Sequence, residues 1–328
     1  MFAAVALGAL YYLLPRLAGL DDTWERVSQG DPWLLCVAVA FELASFGSYV
    51  ALFRRVFLRD RSRIGWRESY QITMAGLAAT RVFAAAGAGG IVLTAWALRR
   101  SGMPAAQVGA RMTAFMVLLY GVFMIALLVV GVGLGTGVLS GGGSPAITLV
   151  PALFGGLVIA AALALALLPR NPGWHTRAAW TRTTRRARWA ARAAALSTTV
   201  ATGVRGALGL VRRGDPAMLW AIGWWGFDIA VLWACFHAFG SPPPIPVVVM
   251  AYFVGMAANT LPVPGGIGSV DGGMIGALIA FGVDGGLAIV AVLSYRAFAF
   301  WLPTIPGAIA YLGLRKTVKG WQLSDAQT

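Results

Sequence analysis

The chain has 328 residues, 59% of them hydrophobic and only 12% charged, with a mean hydropathy of +0.75. Soluble domains carry about 25% charged residues, so a soluble globular fold is excluded and an all-α polytopic membrane protein is implied. The net charge of +14 would point to nucleic acid in a soluble protein, but here the arginines lie in loops between apolar runs, and the partner they imply is an anionic membrane surface and not nucleic acid.

From the N-terminus, Phe2 to Leu20 is predicted as a first helix. It lacks a basic leading segment and a small-residue cleavage site, so it reads as a helix and not a signal peptide. An acidic connector runs from Asp21 to Asp31. Pro32, a favoured first-turn residue, opens a helix to about Phe53, and six arginines from Arg54 to Arg67 follow. Glu68 to Leu98 is too short for two crossings, which need about 40 residues. It is interrupted at Thr80-Arg81 and at Ala86-Gly87-Ala88-Gly89-Gly90, and a re-entrant helical hairpin fits. Further helices are predicted over Gln107 to Gly133 and Pro145 to Leu168. The segment 170–213 holds ten arginines with Trp174, Trp180 and Trp189 among them. That is the pattern of a basic amphipathic helix lying in the interface, with a solvated basic linker as the plain alternative. Pro216 to Phe239 is the next helix. Val247 to Phe281 contains a second break, and a long or kinked helix then reaches Leu314 past Pro303 and Pro306. The expectation is one membrane domain of seven to eight transmembrane helices plus two re-entrant hairpins.

Charge supports this layout. With the N-terminus inside, the loops at 54–67, 99–100, 170–213 and 315–319 all face the cytoplasm and hold 21 of the 26 basic residues. This positive-inside pattern holds only if both broken segments return to their own side. The expected setting is a bacterial cytoplasmic (inner) membrane, with both termini cytoplasmic. A weak repeat covers about 31–134 and 215–314. Asp31-Pro32 and Asp215-Pro216 each open a helix, and Gly76-Leu77-Ala78-Ala79-Thr80 resembles Gly255-Met256-Ala257-Ala258-Asn259, with a Gly-rich break after each. Entered from opposite faces, the copies form an inverted-topology repeat whose hairpins meet near the midplane. Chance similarity among Ala/Gly-rich helices is the alternative.

The second break carries the strongest signal. Asn259, Pro262, Pro264, Gly265, Gly266 and Gly268 interrupt an apolar stretch just before Asp271. Proline removes a backbone donor, and in hydrocarbon every freed backbone group needs a partner. Such a break suits a binding cavity, whose free N–H groups near Gly266 to Ser269 would attract an anion; a surface hairpin turn is the plain alternative. Glu42, Arg81, Asp228, Asp271 and Arg296 fall within apolar segments, where charges are costly and mark function by default. Asp271 and Arg296 are expected to pair, either as part of a site or as a helix staple. Arg81 or Arg296 suits a lipid phosphate, which a guanidinium grips with two parallel hydrogen bonds. Glu42 and Asp228 are candidates for a proton or polar relay, or partners of nearby Ser, Thr and Trp. His237 reads as an interfacial residue. Cys36 and Cys235 lie in separate spans, no metal-ligand spacing occurs, and no cofactor is expected.

Leu261-Pro262-Val263-Pro264-Gly265-Gly266-Ile267-Gly268, with Asp271 after it and Tyr295-Arg296 in the next helix, resembles the core of the lysylphosphatidylglycerol synthase transmembrane family. This is the flippase region of bacterial multiple peptide resistance factor, also found as stand-alone proteins. The hydropathy resemblance extends over nearly the whole chain. The first half departs from it: its break lacks the usual proline, and Phe115-Met116 stand where an acid and an arginine are common. The soluble aminoacyl-transfer domain is absent. The resemblance therefore implies translocation of a phospholipid or lipid-linked anion and not its aminoacylation; the expected substrate contacts are Arg81, Asn259, Pro262, Pro264, Gly265, Gly266, Gly268, Asp271, Tyr295 and Arg296. A membrane phospholipid-modifying enzyme and a scaffold for a lipid synthase are the alternatives, though no catalytic motif favours an enzyme. Room remains for a homo-oligomer or a lipid-synthase partner.

Overall fold

The computed structural model describes residues 30–58, 63–82, 88–167, 185–260, 263 and 266–325. The predicted first helix lies outside these residues, as do Pro262, Pro264 and Gly265 of the second break, Ala86-Gly87 of the first, and Trp174 and Trp180. Every regular element among the described residues is helical. The order is α1 (Pro32–Phe57), α2 (Trp66–Val82), α3 (Ala88–Arg100), α4 (Ala105–Gly135), α5 (Pro145–Leu167), α6 (Arg185–Arg212), α7 (Ala217–Phe239), α8 (Ile245–Ala257), α9 (Ser269–Ala280), α10 (Gly285–Arg296), a π turn (Ala297–Trp301) and α11 (Leu302–Asp325). Among these residues five stretches are long and apolar enough to cross a bilayer: α1, α4, α5, α7 and the run Gly285–Leu323.

Local chemistry sets the helix starts. Asp31 accepts the Trp33 N–H at 2.9 Å ahead of Pro32, and Asp215 accepts the Ala217 N–H at 3.0 Å ahead of α7. Asp284 caps α10 through the Leu287 N–H. Each carboxylate satisfies a donor that the helix leaves open. The two Asp-Pro helices, α1 and α7, run antiparallel against each other. The Asp31 N–H reaches the Ala238 carbonyl at one end, and Arg55 meets Asp215 at 3.5 Å at the other. Between them Ser45 donates to the Trp224 carbonyl. Small residues let the backbones approach: a Cβ on Gly223 would sit 2.7 Å from the Ser48 hydroxyl.

Two pairs of short helices, α2–α3 and α8–α9, stand where the sequence breaks. Each is drawn together by glycine. A Cβ on Gly90 would lie 2.6 Å from the Gly76 carbonyl, and one on Gly273 would lie 3.2 Å from the Gly255 Cα. Gly76 and Gly255 are the residues that open the two similar pentapeptides. The α2–α3 pair packs on α11, and α8 packs on α4, so each pair leans on a long helix of the other half of the chain.

A Cβ on Gly255 would run into Met274 Cγ and lie 2.9 Å from Met274 N. The Met side chain can swing away, but the backbone cannot. Gly255→Ala is therefore expected to destabilise the protein by about 1–3 kcal/mol, the usual cost of overpacking, read as thermal unfolding in detergent. Gly272→Ala is the matched control, since its Cβ meets nothing within 4 Å. Equal melting of the two variants would mean that contact at Gly255 does not set the helix spacing.

α5 is apolar on every side and mostly unburied, with Leu149, Val150, Leu153, Phe154 and Leu157 exposed. Such a helix needs lipid around it. The basic segment departs from a free interfacial helix. The second half of α6 is packed into the bundle: Ala201, Val204, Ala207 and Leu210 are buried, spaced three apart along one face, and α6 lies against α4 and α5. At Gly203 a Cβ would run into the Thr113 side chain and lie 3.1 Å from Ala114 N. Small residues on one face let this helix dock despite its arginines.

Candidate functional site

The central cavity has a volume of about 360 Å³. Residues from both short-helix pairs and from α1, α4, α7 and α10 line it. Its polar wall is Thr80, Arg81, Asp228, Asn259, Tyr295 and Arg296, and its aromatic wall is Tyr49, Phe115, Tyr120, Trp224, Trp225 and Phe300. Thr80 and Asn259 close the two similar pentapeptides, so equivalent positions of the two halves meet the same space.

Two of the three charges on the wall, Arg296 and Asp228, are each backed by another one layer deeper. Arg296 (7% exposed) is held by Asp271 (5%), with Arg296 Nε 2.5 Å from Asp271 Oδ1. The other oxygen, Oδ2, accepts the Gly268 N–H at 3.0 Å. Asp271 thus occupies the third position of α9 and reaches back to its cap, where an anion also suits the helix dipole. Asp228 is backed by Glu42, and their carboxyl groups lie within side-chain hydrogen-bonding reach of each other. Asp228 Oδ2 accepts the Tyr295 hydroxyl at 3.0 Å and also the Tyr252 hydroxyl.

Arg81 enters from the end of α2. Its Nη2 donates to the Ala299 carbonyl at 2.6 Å, in the π turn. Its Nη1 is buried and finds no acceptor among the described residues. Arg81 and Arg296 lie over the same Phe300 ring, 5.5 Å and 5.2 Å from its centroid, within cation–π range. Two guanidiniums so placed repel each other, and the buried acids offset that repulsion.

Several sequence expectations meet here and one does not. Arg81, Asn259, Asp228, Tyr295 and Arg296 converge on the cavity, and Asp271 and Glu42 stand behind it. Of the N–H groups near Gly266 to Ser269 expected to attract an anion, two are already taken: the Gly268 N–H by Asp271 and the Gly266 N–H by the Val263 carbonyl. Gly266 and Gly268 hold φ of 65° and 80°, left-handed values that favour glycine, and they form the turn that lets this happen. Asp228 takes tyrosine partners and not Ser, Thr or Trp. Tyr252 escapes sequence reading because a lone tyrosine in the apolar run of α8 looks like core; its hydroxyl is the only hint. His237 contacts Trp233 through a tilted ring contact and the Trp233 carbonyl, near the end of α7 and apart from the cavity.

The model of the lysylphosphatidylglycerol synthase TM region matches residues 1–307. The chain belongs to this family. It is also similar to archaeal proteins described as UPF0104 membrane proteins. One, from Methanothermobacter thermautotrophicus, is 33% identical over 101 residues, covering 30% of this chain and 28% of the relative. Another, from Pyrococcus horikoshii, is 31% identical over 106 residues, 32% of each protein. The chain thus matches about a third or less of these relatives' lengths. As a family member it is a multi-pass membrane protein, and the archaeal source of these relatives leaves the bacterial setting as an expectation.

Proposed function

We propose that this protein translocates an anionic phospholipid or lipid-linked anion. The headgroup passes through the cavity between the two short-helix pairs while the acyl chains stay in lipid. The observation that carries this reading is the Arg81 Nη1, buried at the cavity wall without an acceptor among the described residues and close to a second guanidinium. A buried unpaired charged donor is costly, and a phosphate oxygen is its natural partner. The pairs α2–α3 and α8–α9 act as re-entrant hairpins in this reading. At 1.5 Å per residue, the 13 residues of α8 and 12 of α9 fall short of a hydrocarbon core about 30 Å thick.

The direct test is proteoliposomes carrying fluorescent phosphatidylglycerol, with dithionite quenching from outside. The protein should speed loss of the inner-leaflet half of the signal, and should do so more for phosphatidylglycerol than for phosphatidylcholine. Kinetics equal to protein-free liposomes would overturn the reading and favour a scaffold or enzyme.

The orientation we propose places both termini on the cytoplasmic side of the cytoplasmic membrane, because the basic loops share that side. In a background free of Cys36 and Cys235, Ser140→Cys and Ser241→Cys should react with an impermeant thiol reagent applied to cells, and Gly214→Cys should not. All three positions are exposed. Labelling at 214 from outside would reverse the layout.

A further inference from the structure

The α1–α7 crossing holds a second buried group of charges behind the anion-facing wall. Glu42 is 1% exposed, and its Oε2 is buried with no hydrogen-bond partner among the described residues. Its carboxyl lies against that of Asp228, which lines the cavity. The titratable groups in reach of this pair come from every helix around it. They are Arg81 of α2, Cys235 of α7, Tyr252 of α8, and Tyr295 and Arg296 of α10. Tyr49 of α1 and Tyr120 of α4 stand on the cavity wall, and Asp271 of α9 sits behind Arg296.

Charge counting leaves an imbalance. Asp271 and Arg296 neutralise each other. Arg81 then faces two carboxyls in contact with one another. Two ionised carboxylates at that separation, in a buried site, repel strongly, and among the described residues one negative charge has no counter-charge. A single proton between the carboxyls removes the imbalance. It also provides the donor that Glu42 Oε2 otherwise lacks.

We propose that Glu42 and Asp228 hold one proton between them, and that the pair takes up a second proton when an anionic phosphodiester headgroup occupies Arg81. This rests on the anionic-headgroup reading above. The empty site is neutral, with one proton on the pair and the charge of Arg81. An incoming phosphodiester adds one negative charge. A proton from cavity water, arriving at Asp228, restores neutrality and gives each carboxyl its own proton. Asp228 is the member that exchanges with the cavity, because Glu42 does not line it. Anion and proton therefore bind together, and each strengthens the other's binding by the same factor.

Two measurements on the purified chain test this. The first is calorimetric binding of dihexanoyl phosphatidylglycerol over about pH 5 to 8, in buffers of differing ionisation enthalpy. Coupled uptake of one proton weakens binding by about ten-fold per pH unit as pH rises, with a buffer-dependent heat that reports close to one proton per lipid. In the Glu42→Gln/Asp228→Asn double variant, binding should be at least as tight and independent of pH. The second is infrared spectroscopy of the lipid-free protein. Wild type should show the carbonyl stretch of a protonated carboxylic acid, and Glu42→Gln and Asp228→Asn should each lose it, since one remaining carboxylate balances Arg81. This spectrum stands even if the double variant does not fold. Binding that ignores pH in wild type would overturn the coupling and leave the anion site intact, as would binding that follows sodium at fixed pH. Absence of the band in wild type would overturn the shared proton. No binding of the lipid at any pH would overturn the anion reading, and the coupling with it.

Discussion

Asp271→Asn or Arg296→Gln alone is expected to lower stability by about 3–5 kcal/mol, and the double variant by clearly less. Breaking a buried ion pair from one side strands a charge away from water, whereas neutralising both sides leaves two polar amides. The geometry makes the comparison clean. The Asp271→Asn change keeps a side-chain oxygen for the Gly268 N–H, so the start of α9 stays capped and the substitution isolates the charge. Arg296 would then face the cavity with its counter-charge gone. Because the cavity admits water, the lower end of the range is the better expectation for Asp271→Asn. Denaturant unfolding in mixed micelles reads the effect. If the double variant loses as much as the two single variants combined, the residues act independently, and the 2.5 Å contact contributes no pairing.

Arg81→Gln is expected to slow translocation of phosphatidylglycerol by ten-fold or more. A charge-assisted hydrogen bond is worth about 1.5–3 kcal/mol, and each 1.4 kcal/mol is about a factor of ten. Arg81→Lys should fall between, since it restores the charge without the planar fork. The fold should hold in both, because the Ala299 carbonyl that Arg81 leaves behind faces the cavity and a second proton on the Glu42–Asp228 pair offsets the lost charge. Size-exclusion elution checks this. Wild-type flipping in Arg81→Gln would remove Arg81 from the substrate path. Equal slowing of phosphatidylcholine would make it a structural residue of the cavity wall.

The parts of this molecule that follow from local chemistry were open to sequence reading. Asp31 and Asp215 announce the starts of α1 and α7 because an Asp-Pro step satisfies a helix's first donors. Gly76 and Gly255 mark the places where two helices touch. Charged residues inside apolar runs lead to the cavity, since nothing else stabilises them there. What depends on long-range placement was hidden. The Ala299 carbonyl that holds Arg81 is 218 residues away, and a backbone carbonyl has no signature in a sequence. Tyr252 looks like packing. At the start of α9, Asp271 lies three residues from Gly268 and takes the N–H there that an anion was expected to use. The docking of α6 on α4 was obscured by its arginines, which dominate the composition while alanine and glycine make the contact.

The π turn at Ala297–Trp301 gives the cavity wall a joint. A π turn carries one residue more than an α-helix has room for, so the helix on either side is out of phase with the other. Upstream, α10 packs against α7 and α9; downstream, α11 packs against α2. Arg296 rides on the first body and Arg81 on the second, and the Ala299 carbonyl that clasps Arg81 belongs to the joint between them. A movement that parts these two bodies must turn at that point. It would draw the two guanidiniums off their common Phe300 ring, so in the translocation we propose, the grip on an anion and the opening of its path would be geared to the same hinge.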